Sequence, residues 1–307
     1  MTQLIQGNRP ALISAFACYG LWGFMPLLFM GQAAVGFDAL EILAHRILWA
    51  VPAAVLLVVL ARQGAMVRAV FAQPRTLMWL AASTTLIAIN WGLYVWATTH
   101  QATLEASLGY YINPLLNMVV GLWLFRERID RLGWIAIALA AVGVAVQTAA
   151  LGRLPWIALT LAFSFATYGV IRKRAPVEAQ AGLLVECLLL LPIGAAWVIW
   201  LQMSGAGVGF DSPATTAWAI VNGPATVLPL ALFAWSARRL PLSTLGVIQF
   251  VAPTLQVAVG VWAGEAFTPL RALSFVFIWT GAAVFAWAAW TRARAARAAI
   301  RTQVEAA

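Results

Sequence analysis

The sequence predicts an all-α membrane protein of ten transmembrane helices arranged as two inverted five-helix repeats, with both termini on the cytoplasmic side. Three observations carry that expectation: the composition, the spacing of apolar segments relative to basic residues, and an internal repetition of short motifs. The 307-residue chain is 63% hydrophobic and 9% charged, with 16 Trp and 15 Phe. Soluble domains carry roughly 25% charged residues because a water-facing surface needs ions, so a water-soluble globule is excluded. The net charge of +9 is spread along the chain rather than gathered on one face, which argues against a nucleic-acid partner. Cys18 and Cys187 stand in apolar runs with neither metal-ligand nor disulfide spacing.

A helix needs about 20 apolar residues to cross a hydrocarbon core near 30 Å at about 1.5 Å per residue. Ten stretches meet that length: 10–32, 39–61, 76–98, 104–125, 131–149, 154–172, 181–203, 215–236, 243–264 and 270–291. The first begins too late and runs too long for a cleaved signal peptide. Positive residues are retained on the cytoplasmic side during insertion. With the N-terminus inside, Arg9, Arg62, Arg68, Arg75, Arg126, Arg128, Arg131, Arg172, Lys173, Arg174, Arg238, Arg239, Arg292, Arg294, Arg297 and Arg301 all fall on inner segments, against Arg153 and Arg271 outside. One missed helix would reverse that bias, so the count and the orientation support each other.

Ala15-Phe16-Ala17-Cys18-Tyr19-Gly20 in the first span recurs as Ser164-Phe165-Ala166-Thr167-Tyr168-Gly169 in the sixth. Pro114-Leu115-Leu116-Asn117, followed by Gly121 and Trp123, recurs in the ninth span as Pro253-Thr254-Leu255-Gln256, followed by Gly260 and Trp262. The expected units are 1–150, spans one to five, and 151–292, spans six to ten, with a basic cytoplasmic tail at 293–307. Five is odd, so the second unit enters from the opposite face.

Polar groups inside lipid cost several kcal/mol unless satisfied, so each needs a reason. In the second span Glu41 and His45, at i and i+4, share a face near the outer end and are candidates for gating or proton coupling. Arg46 lies about 10 Å into the core and reads either as half of a structural ion pair or as a substrate contact. Asn90 in the third span is a candidate for lining the outer half of a cavity. In the fourth, Tyr110, Asn113 and Asn117 form a one-face stripe, while Glu105 at its start suits the positive end of the helix dipole and is also a candidate titrating group. Glu186 in the seventh span matches the position of Arg46 when Pro52 is laid on Pro192. It reads as a structural residue or as a gate on its own side. Gln249 and Gln256 repeat the polar stripe in the ninth span, and Pro114 and Pro253 would kink their helices and free a carbonyl near the midplane. Asn and Gln also serve as ordinary glue between helices, worth about 1 kcal/mol per contact; the matching of the two stripes across the repeat favours a cavity. No phosphate loop, nucleophile triad, metal spacing or haem motif supports enzyme chemistry, and no cofactor is expected.

Several of these segments together resemble a known family. Glu41-Ile42-Leu43-Ala44-His45-Arg46, Leu104-Glu105-Ala106-Ser107-Leu108-Gly109-Tyr110-Tyr111-Ile112-Asn113-Pro114-Leu115, Leu161-Ala162-Phe163-Ser164-Phe165, Pro176-Val177-Glu178-Ala179-Gln180 and Leu242-Ser243-Thr244-Leu245-Gly246 look like the RarD branch of the EamA-domain drug/metabolite transporter superfamily. The resemblance implies an inner-membrane permease of a branch linked to chloramphenicol sensitivity, in a superfamily that exports amino acids and other small metabolites. The resulting expectation is a secondary transporter that moves a small solute by alternating access, outward, with proton coupling as an extension. A passive facilitator and a non-transporting scaffold or sensor are the alternatives. Expected partners are the solute, the bilayer and protons.

Overall fold

In lipid only the protein itself can satisfy backbone N–H and C=O groups, which leaves helices or closed barrels. A computed structural model of the protein describes residues 2–125, 130–237, 239, 240, 245 and 248–305, and among them there is no strand. The helices run in order α1 (Thr2–Ala34), α2 (Ala39–Leu60), α3 (Gly64–Phe71), α4 (Pro74–Thr99), α5 (Thr103–Phe125), α6 (Arg131–Leu151), α7 (Trp156–Arg174), α8 (Ala179–Ser204), α9 (Pro213–Ala237), α10 (Val251–Trp262) and α11 (Pro269–Glu305). Seven of them (α1, α2, α4, α6, α8, α9 and α11) contain a stretch long and apolar enough to cross a membrane. The other three predicted spans are also helical, as α5, α7 and the shorter α10.

Local chemistry sets the helix ends. Asp38 Oδ1 accepts from the N–H groups of Leu40 (2.7 Å) and Glu41 (2.9 Å) at the start of α2, and Asp130 Oδ1 accepts from Gly133 N (2.8 Å) at the start of α6. Gly152 and Gly205 close α6 and α8 at φ of 64° and 69°, the left-handed region that L side chains rarely enter.

The structure adds detail to the sequence expectation at three places. The connection between the second and third spans holds the short helix α3; its Val70 is buried with Leu80, Ala175 and Val185. In the ninth segment Leu245 and Ile248 are helical, a turn follows at Gln249 and Phe250, and α10 starts at Val251, so the helix is interrupted four residues before Pro253. A first-turn proline has no intrahelical N–H bond to lose, whereas continuing the helix across it would clash with the carbonyl of Gln249. The basic segment expected as a tail is helical through Glu305, because its alanines and arginines favour the helix begun upstream.

Principal contacts run between the two halves of the chain. α2 packs on α8 and α9, α7 on α4 and α5, α1 on α9 and α10, and α6 on α11. Two of these crossings depend on glycine. A Cβ at Gly109 in α5 would lie 2.6 Å from the Ala158 carbonyl oxygen of α7. On the α6–α11 contact, Gly143 faces the Ser274 carbonyl and Gly281 faces the Ala136 carbonyl, each 3.0 Å from an added Cβ. Close backbone approach through small residues is what holds helices together where lipid is as apolar as leucine. Large apolar side chains such as Leu60, Met78, Ile193 and Met203 cover the outside. An aqueous surface would not tolerate them together.

Gly109→Leu is expected to destabilise the protein by about 1–3 kcal/mol through overpacking, read as a lower thermal midpoint in detergent. Gly20→Ala, at a position with open space around it, is expected to leave the midpoint unchanged.

Candidate functional site

Two buried polar clusters lie inside the helical bundle, one toward each face. Arg46 is seven residues into α2, about 10 Å from its start. Its side chain is buried, 6% exposed, and its Nε donates to Thr226 Oγ1 of α9 at 3.0 Å. The guanidinium lies over the rings of Trp91 (4.3 Å to the centroid) and Phe29 (5.6 Å). Nη1 is buried with no hydrogen-bond partner, and among the described residues Arg46 makes no ion pair. An arginine in the hydrocarbon centre costs about 2.5–3.5 kcal/mol on insertion scales. A cation–π contact returns about 0.5–2 kcal/mol and a hydrogen bond to a charged group about 1.5–3 kcal/mol. Ring faces and one hydroxyl therefore offset much of the cost without neutralising the charge.

Aromatic and amide groups from four further helices surround it. Tyr94 packs edge-on to Phe29 (6.1 Å) and Tyr110 (5.4 Å). Its hydroxyl lies beside Gln256 of α10, whose Nε2 donates to the Trp22 carbonyl at 3.2 Å and whose Oε1 has no partner. Asn113 is buried with its Oδ1 unpartnered. Asn90 is fully engaged: its Nδ2 donates to the Leu161 carbonyl and to Ser164 Oγ, each at 3.0 Å, and its Oδ1 accepts from Tyr110 Oη at 3.4 Å. That residue ties α4 to α5 and α7 beneath the cluster. The side chains of Asn117 and Pro114 lie outside the described residues. Gln249 stands in the turn before α10, apart from the helical stripe.

The second cluster centres on Glu186, seven residues into α8. Its carboxylate accepts from Ser83 Oγ (2.6 Å) and Tyr168 Oη (3.2 Å), and Arg172 Nε lies 3.7 Å away. Arg46 and Glu186 thus have separate surroundings and do not pair. Basic Arg172, expected to mark only the inner end of its helix, supplies the counter-charge.

Three more carboxylates fasten the helix ends of one face. Glu41 Oε1 accepts from the N–H groups of Val208 and Gly209 (2.9 Å each), with His45 Nε2 at 3.8 Å. The ring of His45 stands edge-on to Phe37 and Phe210, and neither of its nitrogens has a hydrogen-bond partner. Glu105 takes both Nη atoms of Arg153 (2.7 and 3.3 Å) and the N–H of Ile157 (3.1 Å). Glu265 accepts from Thr103 N (2.5 Å) and Leu104 N (2.9 Å), capping α5 from the loop after α10. The sequence reading passed over Glu265 because nothing local distinguishes it; the N–H groups it caps lie 161 and 162 residues away. Thr226, Phe29 and Tyr94 were missed for the same reason. A surface groove lined by Gln73, Arg75, Trp79 and Arg174 lies at the α3–α4 connection.

No family model matches the chain. It is 40% identical over 288 residues to an uncharacterized transporter of Pseudomonas aeruginosa, covering 93% of this chain and 96% of that one. It is 40% identical over 280 residues to the protein RarD of Escherichia coli, covering 91% and 94%. A crystal structure 20% identical, with a TM-score of 0.61 over 91% of this chain and 98% of the other, shares the fold.

Glu265→Gln is expected to cost about 1–3 kcal/mol, since an amide oxygen replaces a carboxylate that two buried N–H groups face. Arg153→Gln should cost less than about 1 kcal/mol, because Arg153 is 47% exposed and water screens its pair. Thermal unfolding of both variants in detergent checks the order.

Proposed function

The chain belongs to the RarD family of membrane transporters, and from that premise we propose that it is an inner-membrane secondary transporter which exports a small solute by alternating access. The observation that carries this reading is the Arg46 cluster: a charged, aromatic and amide-lined region held by helices of both halves, with buried polar atoms that the protein leaves unpartnered. Asn113 and Gln256 line the site. Tyr110 and Asn90 form its floor.

Alternation needs two units related by inversion, here α1, α2, α4, α5 and α6 matched to α7, α8, α9, α10 and α11, with both termini cytoplasmic. The packing supports this correspondence. The α2–α9 contact has its mirror in α8–α4, α5–α7 in α10–α1, and α4–α7 in α9–α1. Within the halves the symmetry fails. Both α1 and α2 pack on α4, while the matching α7 and α8 make slight contact with α9 at most. Two units of similar sequence in different conformations are what an alternating device uses. With the N-terminus cytoplasmic, alternation of the spans assigns the Glu41, Glu105 and Glu265 contacts to the outer face, which supports reading them as an outer closure.

Proton coupling is the extension of this reading, with Glu41, His45, Glu105 and Glu186 as its candidate groups. Flux that ignores an imposed pH gradient would count against it. The solute is to be found by ligand-dependent thermal stabilisation, which grows with concentration over Kd, and its flux measured in proteoliposomes. Asn113→Leu combined with Gln256→Leu should lower that flux at least tenfold with insertion intact. Undiminished flux would overturn the site.

A further inference from the structure

The charge of Arg46 points to the chemistry of the solute. Resting on the site proposed above, we propose that Arg46 grips a carboxylate, and that the solute is a singly charged acid with an apolar or aromatic body. With Nε committed to Thr226, the Nη1–Nη2 edge makes no hydrogen bond among the described residues, and Arg46 is 6% exposed. That edge is planar and suited to two parallel bonds with the oxygens of a carboxylate.

Each carboxylate of the described spans is already engaged elsewhere. Glu41 holds the Val208 and Gly209 amides, Glu105 holds Arg153, and Glu186 holds Ser83, Tyr168 and Arg172. An anion brought by the solute would complete what the protein leaves incomplete. Among the described residues no second cation contacts the Arg46 side chain, which favours one negative charge over the two of a phosphate ester. Trp91 and Phe29 present ring surface to the guanidinium, the phenols of Tyr94 and Tyr110 lie near it, and Gln256 with its unpartnered Oε1 stands beside Tyr94. Such walls suit a hydrocarbon body. Export of an anion is also favoured by an interior-negative membrane potential.

The test uses the full chain in detergent with matched pairs that differ only in charge: phenylacetate against phenylacetamide, and cyclohexanecarboxylate against cyclohexanecarboxamide, with phenyl phosphate as the dianion. Binding is read by thermal stabilisation and tryptophan fluorescence. At least one acid is expected to bind about tenfold or more tightly than its amide, and more tightly than phenyl phosphate. Arg46→Met should abolish that preference and, by removing an unpaired buried charge, raise the midpoint of the ligand-free protein. Arg46→Lys should keep part of the preference.

Acids binding no better than amides, an acid preference that survives Arg46→Met, or phenyl phosphate binding more tightly would overturn the proposal. So would an Arg46→Met protein that melts lower or fails to fold, since Arg46 would then be structural, and so would a panel in which no acid binds. Acid and amide binding alike, with both lost in Gln256→Leu, would remove the anion and leave the transport site standing. Flux that survives Asn113→Leu with Gln256→Leu would remove the site itself.

Discussion

Inside a hydrocarbon slab the protein is the only source of hydrogen bonds and counter-charges, and most of what is distinctive in this molecule follows from that. Backbone groups are satisfied within helices. Side chains are satisfied where helices meet: Glu265 by two amides of α5, Glu186 by a serine of α4 and a tyrosine and an arginine of α7, Asn90 by a carbonyl and a serine of α7. Against that background, Arg46 stands out. It is buried like the others, yet its charge meets ring faces and a hydroxyl rather than a carboxylate.

The carboxylates divide the bundle into a fastened face and an interior. Glu41, Glu105 and Glu265 each accept backbone N–H groups from a segment distant in sequence, and each secures a helix end. The packing of α6 on α11 rests instead on paired glycines that let the backbones interlock. The tyrosine next to the polar stripe is tied to other helices. Tyr111 Oη accepts from Trp279 Nε1 at 2.7 Å and shares a hydrogen bond with Thr254, which binds α5 to α10 and α11. Adjacent tyrosines thus have opposite uses: Tyr110 faces the cluster, Tyr111 the scaffold.

Apolar length and helical periodicity are properties of neighbouring residues, so the positions of the helices were legible without coordinates. The burial of Glu41, His45, Arg46, Glu105 and Glu186 was legible too, because an ion within an apolar run of spanning length has few other places to go. The break at Gln249 and Phe250 and the helicity of the basic C-terminal segment were harder to read, since each depends on whether a helix continues through a position that tolerates either outcome. Asn90 illustrates a further limit. Its polarity announced importance, but the same polarity serves a ligand or a neighbouring helix equally well.

The sequence alone determined that the chain is helical and apolar throughout, where its charges enter the spans, and which family it resembles; composition and short-range spacing carry all three. Which charges find partners was decided by tertiary structure alone. Arg46 and Glu186 each stand seven residues into a helix, yet Glu186 has a counter-charge and Arg46 is left facing aromatic rings, because the partner of each is set by helices up to 180 residues away. Pairing of that kind is a fact of three-dimensional packing, and no local pattern encodes it.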